Sequence, residues 1–272
     1  MAEIDEKVAV ITGAGSGIGR SLAIALAERR CPLSLCDVDR EGLAETVRLA
    51  ERSNVRVTPH IVDTSNREQM EQFAKDTIAE HGRADLVFNN AGVSLTETIE
   101  DMKYEDFEWL MNINFWGMVH GTKAFLPHMR ERGSGHVTNV SSLFGLISVP
   151  TQSAYNASKF AIRGFTEALR WELTGTGIGV TSVHPGGIKT NIVRSSRFYK
   201  DSDGGTDKDA LVKRFDRLAR LTPDDAAAII LKGVEKNNPR VLVGVDAKIL
   251  DLAQRIFPRA YGRIMQFLFD RG

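Results

Sequence analysis

The segment "SAYNASKF", residues 153–160, sets a phenol, Tyr155, four positions before an ammonium, Lys159. On a helix that spacing puts both side chains on one face, about 5–6 Å apart at Cβ. A free phenol titrates near 10 and is a poor base at neutral pH, and bringing it to ~7 takes about 4 kcal/mol of preferential stabilisation of the phenolate. One ammonium at ~5 Å, across an effective dielectric of ~20, supplies roughly 3 kcal/mol of that. The pair reads as a phenol made usable as an acid and a base.

A second candidate lies near the other end of the chain. "TGAGSGIG", Thr12–Gly19, follows an apolar run and has the spacing Gly-x3-Gly-x-Gly through Gly13, Gly17 and Gly19. Glycines at such a turn let the chain reverse tightly and let its backbone approach a pyrophosphate resting on the next helix N-terminus. Packing alone can also require them, but the place of the turn, after an N-terminal strand, favours a dinucleotide site. Asp37 ends the next apolar run, where a carboxylate can accept hydrogen bonds from the adenosine ribose and repel a 2′-phosphate. NAD is therefore expected rather than NADP, with Arg20 and Arg40 leaving a route for phosphate.

These residues must be held by elements that alternate. Apolar or β-branched runs beginning at Val8, Leu33, Val55, Asp85, His136, Gly179 and Arg240 predict seven strands. Between them, helical periodicity covers Gly17–Arg29, Arg40–Glu51, Arg67–His81, Tyr104–Arg132, Gln152–Thr174 and Asp224–Lys236. Strict alternation predicts an α/β fold, a doubly wound parallel sheet of Rossmann type with helices on both faces and ligands at the carboxyl ends of the strands. The polar stretch Lys189–Thr222, interrupted by "DGG", reads as an irregular substrate lid.

Composition removes other classes. With 35 basic and 35 acidic residues the formal charge is zero, so nothing argues for nucleic acid. Cys31 and Cys36 have no metal-binding spacing, and the N-terminus lacks a leader or an apolar run long enough to span a membrane, so a cytoplasmic location is expected. The six histidines show no metal spacing and read mostly as surface or loop residues, and no metal is expected. Trp109, Trp116 and Trp171 read as core or helix-interface residues, and no G-x-S-x-G turn is present.

"TGAGSGIG", "NNAG" at Asn89–Gly92, Asn114 in "NINFWG", Ser142 in "VSS", "YNASK" at Tyr155–Lys159 and "PGGIKT" at Pro185–Thr190 occur in that order. Together they resemble the short-chain dehydrogenase/reductase family in its single-domain branch, from about Val8 to Gly244. The resemblance implies a catalytic tetrad of Asn114, Ser142, Tyr155 and Lys159. Tyr155 would exchange the hydroxyl proton with substrate, and Ser142 would hold the substrate oxygen. Lys159 would tune the phenol and bond the nicotinamide ribose, and Asn114 would anchor a water linking Lys159 to solvent. It implies further cofactor contacts from Ser16 and Ile18 in the glycine-rich turn and from Asp63 and Thr64 at the adenine. Asn90, Ala91 and Gly92 would line the adenosine-ribose side, and Pro185, Gly186, Ile188 and Thr190 would hold the nicotinamide carboxamide.

The activity so implied is an NAD-dependent oxidoreductase interconverting a secondary alcohol and ketone, or an alcohol and aldehyde, probed against the alternative of a catalytically idle dinucleotide-binding protein with an interaction role. A homo-oligomer, dimer or tetramer, is expected. Residues 1–245 read as one catalytic domain, and 246–272 as an amphipathic tail in place of the glycine-ending C-terminus frequent in the family. In the tail, Leu250, Ala253 and Phe257 recur at helical spacing, Pro258 interrupts, and Ile264, Met265, Leu268 and Phe269 resume. Contact with a partner subunit or closure over a hydrophobic substrate site is favoured there over a membrane surface.

Overall fold

Each apolar run becomes a strand. In chain order these are β1 (Ala9–Thr12), β2 (Leu33–Asp37), β3 (Val57–Ile61), β4 (Leu86–Asn89), the two-residue β5 (Leu95–Thr96), β6 (Gly135–Val140), β7 (Ile178–Pro185), the two-residue β8 (Arg197–Phe198) and β9 (Arg240–Val243). The helices are α1 (Gly17–Glu28), α2 (Arg40–Ala50), α3 (Arg67–His81), α4 (Tyr104–Met111), α5 (Gly117–Arg132), α6 (Ser153–Glu172), α7 (Lys208–Leu218), α8 (Pro223–Glu235) and α9 (Val245–Ile256). The computed structural model describes residues 4–201 and 204–262.

Seven strands form one parallel sheet in the order β3-β2-β1-β4-β6-β7-β9. Strands β1, β4 and β7 are buried along their whole length, as a sheet covered on both faces requires. On one face Leu22, Leu26, Ala227 and Ile230 of α1 and α8 close the core; on the other Phe73, Phe125, Met129 and Leu169 of α3, α5 and α6 do so. Pro59 falls in β3, an edge strand, where its missing N–H is tolerated. The strand order reverses between β1 and β4, which opens a crevice above their carboxyl ends.

Three expectations need correction. The stretch Lys189–Thr222 is not irregular: it holds β8, which pairs with β5, and α7, capped by Asp207. Leu211, Phe215 and Leu218 carry the helical spacing there, masked by the surrounding charge. Two of the six histidines are not surface or loop residues: His136 and His184 are buried in β6 and β7, while the other four are partly exposed. Trp171 is 80% exposed and belongs to no core, and Trp116 is half exposed.

The tail begins as α9. Its inner face, with Ala247 buried and Leu250 partly so, packs against Leu143, Leu146 and Ile147. Val245, Ile249, Leu252 and Ile256 form an exposed row on its outer face. The later positions Ile264, Met265, Leu268 and Phe269 lie outside the described residues. Among the described residues no helix is long and apolar enough to cross a membrane.

Candidate active site

The glycine-rich turn leaves β1 and enters α1. Gly13 and Gly17 adopt left-handed backbone, φ 65° and 51°. A Cβ on Gly13 would stand 2.7 Å from Ala91 Cα, and one on Gly19 would stand 2.1 Å from the Gly13 carbonyl oxygen. The first and last glycines therefore permit close packing. Ser16 makes no side-chain cap hydrogen bond to α1, and an uncapped helix N-terminus is suited to hold an anion. Ile18 packs against the core below.

The turn after β4 is stitched to this one. Thr12 Oγ1 accepts from the N–H groups of Asn90 (3.0 Å) and Ala91 (3.1 Å), while Asn90 Nδ2 donates to the carbonyls of Thr12 and Gly13, both at 3.1 Å. Asn90 thus spends its amide on the protein backbone.

Asp37 sits at the end of β2 with its Oδ2 accepting from Gly15 N–H at 2.8 Å and its Oδ1 from Asp39 N–H at 2.9 Å. Arg20, the route left open for a phosphate, is committed elsewhere. Its guanidinium donates to Thr46 Oγ1 (2.9 Å), to the Gly42 carbonyl (3.1 Å) and to the Gly15 carbonyl. Arg40 is exposed at the start of α2. Asp63 is exposed and its Oδ1 accepts from Ser65 N–H and Oγ. Thr64 is buried, with its carbonyl accepting from His120 Nδ1 at 3.1 Å.

Asn114 lies in one π-helical turn, Asn112–Trp116, between α4 and α5. A π turn within a longer helix displaces side chains from their usual register and is frequent at functional sites. The amide is 1% exposed: Oδ1 accepts from Val93 N–H (2.7 Å), and Nδ2 donates to the Val93 carbonyl (3.0 Å) and Ser158 Oγ (3.2 Å). Ser158 Oγ donates in turn to the Tyr155 carbonyl at 2.8 Å. Asn114 is therefore a buried brace between the turn after β4 and the helix that carries Tyr155.

Helix α6 is fastened to the end of β6 from two sides. Ser141 Oγ donates to the Lys159 carbonyl (2.7 Å), and Lys159 Nζ donates to the Val140 carbonyl (3.2 Å). The Lys159 ammonium nitrogen lies 5.4 Å from the centroid of the Tyr155 ring, and both residues are buried. Ser142 Oγ caps the short turn Leu143–Gly145 by accepting from Phe144 N–H, and its hydroxyl favours the Tyr155 phenolate.

In the protein alone, burial outweighs the pairing. It pushes the Tyr155 phenol up to about 12, with Ser142 pulling the other way, and pushes the Lys159 ammonium down to about 8. The sequence-based figure of ~7 for the phenol is therefore not a property of the protein by itself.

The loop after β7 completes the crevice. Gly186 N–H donates to the Val243 carbonyl (2.9 Å), Ile188 is buried and bridges to Leu221, and a Cβ on Gly17 would stand 3.2 Å from Thr190 Cγ2. The Pro185–Thr190 loop thus faces the glycine-rich turn across the crevice. The sequence-predicted residues of the glycine-rich turn, of the turn after β4, of the ends of β6 and β7 and of α6 gather around the carboxyl ends of β1, β4, β6 and β7, while Asp37 stands at the end of β2 and Asp63 and Thr64 follow β3. One contributor was missed, His184: its Nδ1 meets the Ser142 carbonyl at 3.0 Å and its Nε2 meets Ser182 Oγ at 2.9 Å. A carbonyl only accepts, so Nδ1 holds the proton and Ser182 donates to Nε2.

Comparison with known proteins matches residues 7–200 to the model of the short chain dehydrogenases. The chain belongs to that family. This short chain dehydrogenase is 47% identical over 268 residues to SadH of Mycobacterium tuberculosis, an oxidoreductase by name, covering 97% of this chain and 96% of SadH. Among solved structures it is similar to a short chain dehydrogenase/reductase from Burkholderia phymatum in complex with NAD, at 29% identity and a TM-score of 0.85, covering 94% of this chain and 96% of that one. A short chain dehydrogenase from Mycobacterium paratuberculosis bound to NAD matches at 27% identity and a TM-score of 0.76, covering 89% and 97%. The dehydrogenase is an oxidoreductase of this family, and the two solved structures named here hold NAD.

The segment 189–222 is tied to α4 through β8. Arg197 lays its guanidinium 3.7 Å from the Trp109 ring centroid and bonds Asp106 Oδ1 at 2.5 Å, tying β8 to α4. A separate cavity of about 420 Å³ is lined by Ser153, Asn156, Ala157 and Phe160, which occupy a different face of α6 from Tyr155 and Lys159. Among the described residues no cluster could hold a metal ion.

Proposed function

We propose that this short chain dehydrogenase interconverts a secondary alcohol and a ketone, or an alcohol and an aldehyde, using NAD, with Tyr155 as the proton-transfer group. The observation that carries this is the burial of Tyr155 and Lys159 one turn apart on α6, beside Ser142 and at the crevice bordered by the glycine-rich turn. When bound, the nicotinamide exchanges a hydride with the substrate carbon and, oxidised, brings a positive charge beside the phenol. Ser142 Oγ holds the substrate oxygen. In reduction Tyr155 gives its proton to that oxygen as negative charge develops there; in oxidation it takes the hydroxyl proton. Burial keeps the phenol protonated in the free protein, a state suited to donation.

Lys159, with no acidic partner among the described residues, is the natural donor to a ribose hydroxyl and the next station for the proton. Both Nδ2 hydrogens of Asn114 are used, so a relay water would bond the remaining lone pair on Oδ1. The adenosine end is held by the Asp37 carboxylate and by the turns at Asp63, Thr64 and Asn90–Gly92. The reading takes NAD rather than NADP because a carboxylate, Asp37, stands at the end of β2 while Arg20 is occupied, and it is supported by the NAD held in two similar structures. Leu95, Leu110, Phe107, Phe144 and Ile192 pack around Tyr155, which supports a hydrophobic substrate. The exposed row of α9 is the surface offered to a second copy.

A panel of alcohols with NAD, and of ketones and aldehydes with NADH, followed by absorbance at the reduced nicotinamide band, tests the reading. Turnover with at least one hydrophobic alcohol or carbonyl is expected. Cofactor binding with no turnover across the panel would favour the idle binding protein.

A further inference from the structure

Gly187 is held through both of its backbone polar groups. Its N–H donates to Asp246 Oδ2 at 2.7 Å, and its carbonyl accepts from Arg220 N–H at 3.2 Å. Asp246 belongs to the first turn of α9, and Arg220 follows α7 of the lid. The fit around the carboxylate is close: a Cβ on Gly186 would stand 2.2 Å from Asp246 Oδ2, and one on Gly244 would stand 2.3 Å from Oδ1. Glycine at both positions makes room for this acid. An acid in a first helical turn also favours the helix dipole, but that alone requires neither the bond to Gly187 nor the space cleared at Gly186.

We propose that Asp246 is a positioning residue for the nicotinamide end of the cofactor, acting through the Gly187 peptide to hold the Pro185–Thr190 loop. The proposal rests on the nicotinamide-cofactor reading above and deepens it. A charge-assisted bond to a backbone N–H fixes that peptide's orientation, and with it the neighbouring groups of the loop that would meet the carboxamide. The start of the tail then belongs to the cofactor site, although nothing in the sequence connects Asp246 with Gly187 across 59 positions.

The test compares NADH with ADP-ribose, which shares every part of the cofactor except the nicotinamide. Asp246→Ala should raise the Kd for NADH about tenfold and leave that for ADP-ribose within about twofold. Asp246→Asn, which keeps an acceptor oxygen, should stay within about threefold of wild type for both. Equal weakening of both ligands by Asp246→Ala, unchanged NADH affinity, or an Asn variant as weak as the Ala variant would overturn the proposal. Wild-type protein that binds ADP-ribose and NADH with no nicotinamide preference to lose overturns it too. Failure of wild type to bind either ligand contradicts the cofactor reading itself.

Discussion

Lys159 Nζ stands 5.4 Å from the ring centroid of Tyr155 with its hydrogen bond directed at the Val140 carbonyl, so the ammonium is buried beside the phenol with no acidic partner among the described residues. Burial of the charge holds Lys159 near 8, below its ordinary 10.5. The folded state therefore binds fewer protons than the unfolded state between those values, and stability rises with pH across that window. At pH 7 the buried charge costs the fold on the order of 3 kcal/mol. Lys159→Met should abolish activity yet stabilise the free protein at pH 7 by about 1–2 kcal/mol, the gain vanishing near pH 10.5. Urea unfolding at both pH values checks this; destabilisation at pH 7 would show that the ammonium is already compensated.

The pH dependence of turnover follows from the same pair. With the phenol near 12 in the free protein, alcohol oxidation must wait for bound cofactor to draw it down. At saturating NAD, kcat/KM for the alcohol should rise with pH through an apparent value well below 10. A profile that climbs only at pH 10 or above means that the pair is not tuned in the complex.

His136 and His184 predict acid sensitivity. Burial holds each near 4, below the ordinary 6.5, so the unfolded chain binds more protons between those values and stability falls as pH drops from 6.5 to 4. The full loss is about 3 kcal/mol for each histidine. His184→Asn, which retains a donor for the Ser142 carbonyl, should flatten part of the acid limb in a stability profile. An unaltered limb would mean that His184 titrates normally.

Arg197 ties β8, in the segment proposed as a substrate lid, to Trp109 and Asp106, and Asp106 is itself largely buried. Arg197→Ala should loosen the lid and raise KM for hydrophobic substrates several-fold, with a smaller fall in kcat. Steady-state kinetics separate the two constants. Equal falls in kcat and kcat/KM would place the residue in the chemistry instead.

Cofactor choice tests the account of Asp37 and Arg20. Asp37→Ser should weaken NAD, relieve repulsion of NADP and narrow the ratio of their kcat/KM values. Arg20→Ala should weaken both cofactors together, because its bonds to the Gly15 and Gly42 carbonyls hold the turn rather than a phosphate. Selective loss of NADP in Arg20→Ala would reverse that assignment.

What the sequence makes legible is local. The seven strands, the glycine-rich turn and the Tyr155–Lys159 pair follow from periodicity and from backbone needs at fixed spacing. Helix α7 was hidden because Leu211, Phe215 and Leu218 lie in a strongly charged segment where the apolar stripe is thin. The π turn at Asn114 leaves no mark on a helical pattern that runs unbroken from Tyr104 to Arg132. His184 and Asp246 act through contacts across 42 and 59 positions, which no pattern along the chain encodes. Trp171 shows the converse: its helical spacing does not say which face of α6 looks outward.

The most direct test is Tyr155→Phe, which removes one hydroxyl from a buried ring and leaves its packing against Phe144 in place. With a substrate identified from the panel, turnover should fall by at least about two orders of magnitude while the Kd for NADH stays within about twofold of wild type. Turnover retained near the wild-type level, with the cofactor still bound, would contradict Tyr155 as the proton-transfer group.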